Sequence, residues 1–225
     1  MKLRRRCLIC MVLMLFLCMI GGCNMKELIN GKEPFVVKEH LEDVVLKIDD
    51  NSYTLQDIGY YIANGEASVE AQAQMYNPDN PQEYWNKHTN GIFIKVQARE
   101  NTMDNYIRDE ILALAAVEEN LSLTEEDMTT CDATVKQLYE QLSKTQKEEA
   151  GITEESLRKN IEKALLGQLY IQYRLANDGS DKYTAQDWQL EGVCYKGLLS
   201  QYDVEIVDSV WEQVEFGEVT IRREE

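Results

Sequence analysis

The chain has 225 residues with 23 basic and 40 acidic side chains, which give a formal net charge of −17. This acidic balance argues against a nucleic-acid partner, because contacts to backbone phosphates require lysine and arginine. It also argues against an electrostatic attachment to anionic lipids. The length is that of one domain with a short extension.

The N-terminus combines the parts of an export signal in order. Four basic residues lie within the first six positions, and an uncharged apolar run follows from Cys7 to Ile20. A basic start followed by a short apolar stretch is typical of secretory signals, and the run is shorter than the roughly 20 apolar residues that cross a bilayer. It ends in Ile-Gly-Gly-Cys at 20–23, where the small residues suit a peptidase groove.

This ending resembles the bacterial lipobox, and the resemblance implies that Cys23 is lipidated and becomes the new N-terminus. Residues 1–22 would be the signal peptide, and two acyl chains would hold the protein on the extracytoplasmic face of the cell membrane. The alternative is a plain membrane anchor or an uncleaved signal. Cleavage would remove four basic residues and no acidic one, so that the mature chain, with 19 basic and 40 acidic side chains, carries −21.

The segment after Cys23 is the candidate linker. Residues 23–43 contain the breakers Gly31 and Pro34, and no stalk rich in proline and serine precedes the body. We therefore expect a single helical body over residues 44–225.

The first residues of the body predict a strand, a turn and a helix, in that order. A β-branched run at 44–48 predicts a strand, and the polar residues at 49–52 favour a turn. Thr54, with Asp57 three residues later, is a variant of the capping box and should begin a helix. Gly65 should end that helix.

Long helical periods follow an irregular segment at 64–91, which contains two prolines and predicts a long connection. Three long helices come next, and a last helix should begin after Thr184. The periodic apolar positions are Ile92, Val96, Met103, Ile107, Ile111 and Leu114; Met128, Cys131, Val135, Leu138 and Leu142; and Leu157, Ile161, Leu165 and Leu169.

The end of the chain returns to a strand pattern. Val204 and Ile206 alternate with charged residues, which predicts a strand that pairs with residues 44–48. The predicted fold class is therefore mainly α, with long antiparallel helices and a small β element that joins the two ends of the body.

Four large apolar side chains stand in the irregular segment outside any helical period: Met75, Tyr76, Tyr84 and Trp85. One interpretation is that they fold back into the helical core. The other is that they line a groove for an unfolded polypeptide, because methionine and aromatic side chains suit promiscuous partners.

No catalytic constellation stands out in the sequence. The two histidines, His40 and His88, have no cysteine or second histidine at metal-ligand spacing, and no glycine-rich phosphate loop follows a strand. We therefore expect no metal, no cofactor, no small-molecule substrate and no enzymatic activity.

Two cysteines, Cys131 and Cys194, remain after the signal and Cys23. An even pair in an exported protein is compatible with a disulfide. Both stand at apolar helical positions, however, where cysteine behaves as a small buried hydrophobe. We therefore expect two thiols rather than a bridge.

The order of elements resembles the N-terminal chaperone domain of SurA-type periplasmic chaperones and PrsA-type lipoprotein foldases, which is related in fold to part of trigger factor. The likeness covers about residues 44–211 and rests on the strand and turn at 45–54 and on the Gly-x-Thr-Glu-Glu-x-Leu step at 151–157. Members often carry a parvulin-type prolyl isomerase domain after the long helices. Here residues 177–188 leave no room for it.

The resemblance implies a lipid-anchored chaperone-like protein that binds unfolded or partly folded exported polypeptides without isomerase activity. The alternative is a structural or adaptor lipoprotein that binds one folded partner in the cell envelope. A third reading, an isomerase or hydrolase, lacks candidate residues.

Overall fold

The computed structural model describes residues 34–177 and 182–221. It is mainly helical with two small antiparallel sheets, which confirms the predicted fold class. None of the helices in these two ranges has the length and apolarity that a membrane span requires. The helices are α1 (Leu55–Tyr76), α2 (Gln82–Trp85), α3 (Ile94–Glu118), α4 (Glu125–Gln141), α5 (Lys144–Glu149), α6 (Glu154–Asn177), α7 (Val193–Leu199) and α8 (Asp208–Trp211). The strands are β1 (Val44–Ile48), β2 (Asn51–Thr54), β3 (His88–Thr89), β4 (Ile92–Phe93) and β5 (Val204–Ile206).

The three-stranded sheet joins the two ends of the body, as predicted. Strand β1 lies in the centre, with β2 and β5 antiparallel on either side, and Leu46 pairs with both Tyr53 and Ile206. The pairing of β1 with β2 shifts register between Val44 and Leu46, and Val45, Leu46 and Ile48 are all fully buried. The central strand is therefore paired at both edges and lies in the core.

The body begins at Val36, ahead of the predicted start at residue 44. Val37 is buried in a 3₁₀ turn. The backbone N–H of Leu55, at the start of α1, donates to the carbonyl oxygen of Asp43 at 3.1 Å. Residues 36–43, assigned to the linker from the sequence, therefore form part of the body.

Threonine caps behave as the sequence predicts at two of three positions. Thr54 and Thr124 precede α1 and α4, and the backbone N–H of each donates to an aspartate three residues later at 2.8 Å. Thr184 forms the same capping box, but it opens only a 3₁₀ turn at Ala185–Trp188. The predicted last helix is in fact this turn followed by α7, which begins at Val193.

Helix α1 passes through Gly65 and continues to Tyr76, so the predicted stop is wrong. A Cβ atom at Gly65 would lie 2.5 Å from Thr102 Oγ1 on α3. The glycine therefore allows two helices to approach each other. The helices run antiparallel, since Tyr61, earlier in α1, donates from Oη to Asp109 Oδ2, later in α3, at 2.7 Å. The connection between α1 and α3 shrinks to residues 77–93, which include α2 and the β3–β4 hairpin.

An apolar cluster joins α1, α4 and α6. Its centre contains Ala63, Cys131, Val135 and Leu157, all buried, which confirms the periodic face assigned to α4. Burial raises the pKa of the Cys131 thiol. Cys194 is half-buried, and no disulfide joins the two cysteines.

Helix α1 also approaches the α5–α6 turn closely at Gly59. A Cβ atom there would lie 2.1 Å from the carbonyl oxygen of Ala150. Because this neighbour is backbone, we expect Gly59→Ala to lower the free energy of unfolding by about 2 kcal/mol in urea denaturation. Gly197 in α7 is the matched control, since a Cβ atom there meets no heavy atom within 4 Å. Gly197→Ala should be neutral or stabilise by up to about 1 kcal/mol through helix propensity. Equal effects of the two substitutions would contradict this account.

Candidate functional site

The C-terminal end of α1, the short helix α2 and the β3–β4 hairpin carry an exposed apolar surface, here called the apolar tip and defined by Met75, Tyr76, Tyr84, Ile92 and Phe93. Met75 is 80% exposed and Tyr76 is 51% exposed, both at the end of α1. The β3–β4 hairpin adds Ile92 and Phe93, which are exposed as well. Four of the six large apolar side chains exposed in the described residues therefore belong to the tip. Single exposed apolar residues are common, but a group is a mark of an interaction site.

Lys87 connects α1 to the hairpin at the tip. Its Nζ lies 4.7 Å from the centroid of the Tyr76 ring, and its carbonyl oxygen accepts a hydrogen bond from the Ile94 N–H at 2.8 Å. The Tyr76 ring also contacts the Tyr84 ring, with 5.5 Å between centroids. Tyr84 is half-buried and donates from Oη to Gln72 at 3.1 Å. The tip is thus exposed but held by specific contacts.

Trp85 does not belong to this surface. Its side chain is fully buried, and its indole Nε1 donates to Glu70 Oε2 at 2.9 Å. Gly217 packs on the indole so tightly that a Cβ atom would lie 2.9 Å from the ring. Of the four candidate residues, Met75 and Tyr76 are exposed, Tyr84 is half-buried, and Trp85 is in the core.

A buried carboxylate fixes the residues that cover Trp85, here called the C-terminal segment (residues 207–221). Glu66 is completely buried on α1. Its Oε1 accepts from the N–H groups of Gly217 and Val219 at 2.6 and 3.1 Å. Its Oε2 accepts from the N–H and the hydroxyl of Thr220, both at 2.6 Å. Burial raises the pKa of Glu66, and these four hydrogen bonds oppose that rise.

A groove that the sequence did not reveal lies between α3 and the chain around α7. Its volume is about 580 Å³, which is within the range of ligand pockets. Helix α3 provides one wall, and residues 190–204 provide the other. The lining residues are Asp104, Ile107, Leu190, Glu191, Tyr195, Lys196, Leu199, Tyr202, Asp203 and Val204.

The groove has a negative rim. The Asp104 side chain reaches solvent there, but neighbouring atoms displace part of its hydration, and this desolvation together with the charges of Glu100 and Glu191 raises its pKa. Lys196 is the cation of the lining, and its Nζ bonds Glu191 Oε2 at 2.6 Å. On the inner side, burial and the charge of Asp104 raise the pKa of Tyr195 to about 12.

A polar cluster between β2, α3 and α6 is separate from the groove. Lys163 forms an ion pair with Glu110, which is only 3% exposed. Its Nζ also lies 5.3 and 5.5 Å from the ring centroids of Tyr53 and Tyr106. Burial and the charge of Glu110 raise the pKa of both phenols, so they stay neutral. None of these residues lines the groove, and the cluster acts as packing between helices.

The histidines stand apart from each other. His40 Nδ1 is 2.9 Å from Asp43 Oδ2, and the His88 ring stacks on Phe93 in the hairpin with 3.8 Å between centroids. In the described ranges, no three histidine, cysteine, aspartate or glutamate side chains are placed so that they could hold a metal ion. Cys23, the predicted lipid attachment site, lies outside the described residues.

No local sequence pattern predicts the groove, because its two walls, on α3 and on residues 190–204, are far apart along the chain. In the sequence, Leu190 and Lys196 occupy ordinary positions of the predicted last helix. Asp104 has the pattern of a solvated residue of α3. The one available signal was an acidic side chain one turn from the buried Ile107.

Comparison with known proteins adds no relative: no family model, curated protein or solved structure matches this chain.

Proposed function

We propose that the protein is a lipid-anchored, extracytoplasmic chaperone-like protein that binds unfolded or partly folded exported polypeptides and does not isomerise them. The anchor is assigned to Cys23, on the lipobox-like sequence at 20–23. The observation that carries the proposal is the apolar tip, which presents Met75 and Tyr76 to solvent.

The tip suits clients of varied sequence. Methionine is flexible and polarisable and adapts to irregular apolar surfaces, and Met75 is the most exposed large apolar side chain in the described residues. Tyr76 offers a flat ring whose position is fixed by Lys87 and Tyr84. Unfolded chains expose apolar side chains, so the same surface can accept many of them.

The test is suppression of client aggregation by residues 24–225 at several-fold molar excess. We expect the double substitution Met75→Gln/Tyr76→Gln to require an about fivefold higher concentration for the same suppression, because the two side chains together contribute ~1 kcal/mol of apolar contact. Glutamine retains helix propensity. Val117→Gln is the control, since Val117 is 61% exposed outside the tip. No suppression by the unsubstituted chain would exclude the chaperone function.

The ordered contacts beneath the tip favour the alternative of an adaptor for one folded envelope protein. Trp85 is buried and Tyr84 is hydrogen-bonded, so the surface has a fixed shape. Crosslinking in cells separates the two functions. A single stoichiometric partner would support the adaptor, whereas a broad set of exported proteins would support the chaperone.

A further inference from the structure

The groove between α3 and α7 has an apolar floor beneath its acidic rim. Ile107 on α3 is buried in the floor, opposite Leu199 on α7 and Val204 at the start of β5. The buried Tyr195 ring closes the inner side. This arrangement accommodates an apolar side chain below and a charged one at the opening.

The charges at the rim are unbalanced. Three carboxylates, from Asp104, Glu191 and Asp203, line the groove with the single cation Lys196. That cation is already engaged by Glu191 at 2.6 Å. The carboxylate groups of Asp104 and Asp203 are therefore left without a compensating charge among the groups that line the groove.

Asp104 is the focus of this negative charge. Among the described residues, the charged groups that act on it are the carboxylates of Glu100 and Glu191, which repel it. A cation brought to Asp104 would be attracted by the carboxylates of Asp104 and Glu100, whereas the charge of Glu191 is compensated by Lys196. Because the walls of the groove exclude part of the solvent, the attraction is screened less there than on an open surface.

We propose that this groove binds an extended polypeptide segment in which a lysine or arginine stands next to a large apolar residue. The cation pairs with Asp104 at the rim, and the apolar side chain packs on Ile107 and Leu199. This inference rests on the proposed function and names the class of segment that the protein selects. The groove thus selects segments that carry a lysine or arginine next to an apolar residue. The tip, by contrast, accepts apolar segments without a charge.

The formal charge of the whole chain supports the same partner. At −17, the protein attracts basic segments over a distance and repels acidic ones. An anionic lipid surface would be repelled by the same rim, so the groove is directed toward polypeptide.

The probe is a fluorescent peptide with the sequence Gly-Ser-Lys-Leu-Phe-Ser-Gly, titrated with the purified full chain in detergent. Two further peptides replace Lys by Glu, or Leu-Phe by Ser-Ser. We expect the first peptide to bind more tightly than both others. Its affinity should fall as the salt concentration rises. Asp104→Asn should weaken it about fivefold, as the loss of one solvent-accessible ion pair predicts. Glu140→Gln, which removes an exposed carboxylate from α4, is the charge-matched control and should change nothing.

Equal binding of the Lys and Glu peptides, or an unchanged affinity in Asp104→Asn, would overturn the inference. Aggregation suppression is measured on the same preparation. A protein that suppresses aggregation but does not distinguish the peptides retains the proposed function and loses this inference. A protein that selects the Lys-Leu-Phe peptide without suppressing aggregation supports the groove and points to a folded partner with a basic surface.

Discussion

Glu66→Gln should lower the free energy of unfolding by about 2–4 kcal/mol and release the C-terminal segment. The carboxylate accepts two hydrogen bonds at each oxygen, three of them from backbone N–H groups. An amide places an NH₂ group where one oxygen stood, so at least one buried N–H loses its acceptor, at a cost of about 1–3 kcal/mol for each such group. Urea denaturation measures the loss, and hydrogen exchange of residues 216–221 locates it.

The control is Glu215→Gln in the same segment. Because Glu215 is exposed, this substitution removes one charge without removing a buried contact. It should leave the denaturation midpoint and the exchange rates unaltered. If Glu66→Gln behaved like Glu215→Gln, the four hydrogen bonds would not be what holds the segment on α1.

Lys163→Met should have an effect of similar size, about 3–5 kcal/mol. Glu110 is only 3% exposed, and Lys163 is its ion-pair partner. Removing one member of a buried pair leaves an uncompensated charge, which costs more than the pair itself contributes. The neutral phenols of Tyr53 and Tyr106 cannot replace the lost cation. The readout is the midpoint of urea denaturation.

The double substitution Lys163→Met/Glu110→Leu tests this reason directly. It removes both charges, so it should recover a large part of the loss in stability. The exposed pair Lys144–Glu148 is the contrast, since its side chains are 85% and 61% exposed. Lys144→Met should have no measurable effect. If the double variant were less stable than Lys163→Met, the destabilisation would have another origin.

The sequence predicted elements whose signals are local. The predictions of caps at Thr54 and Thr124 are confirmed. A threonine and an aspartate three residues later form their hydrogen bonds with each other, without help from the rest of the chain. Strand β1 and its pairing with β5 were correct because a β-branched run and an alternating pattern each point to a strand.

Predictions failed where a distant part of the chain decides the structure. Gly65 looks like a helix end, but its role is contact with Thr102 on α3. Thr184 looks like the start of a helix, but the chain reverses at Gly192, where a Cβ atom would lie 2.2 Å from the carbonyl oxygen of Asp187. Glu66 looks like a surface residue, because a pattern of apolar spacing does not reveal which carboxylate will be buried.

The predictions for the candidate site succeeded or failed for the same physical reason. The sequence drew attention to Met75 and Tyr76, because large apolar residues outside a period are visible in one dimension. It could not distinguish Tyr76 from Trp85, since exposure depends on whether Gly217 and Glu70 reach the ring. The groove is built from residues that meet only in the folded state, so no local pattern predicts it.

The central position of β1 sets an order for folding. Lys47 on β1 and Glu205 on β5 are bonded to each other although they stand 158 positions apart. One edge of β1 therefore stays unpaired until almost the whole chain is present, and such long-range closure is slow. An open strand edge is a template for association with other chains. That edge of β1 is closed to other chains only when β5 arrives, and the outer edges of the finished sheet are then those of β2 and β5.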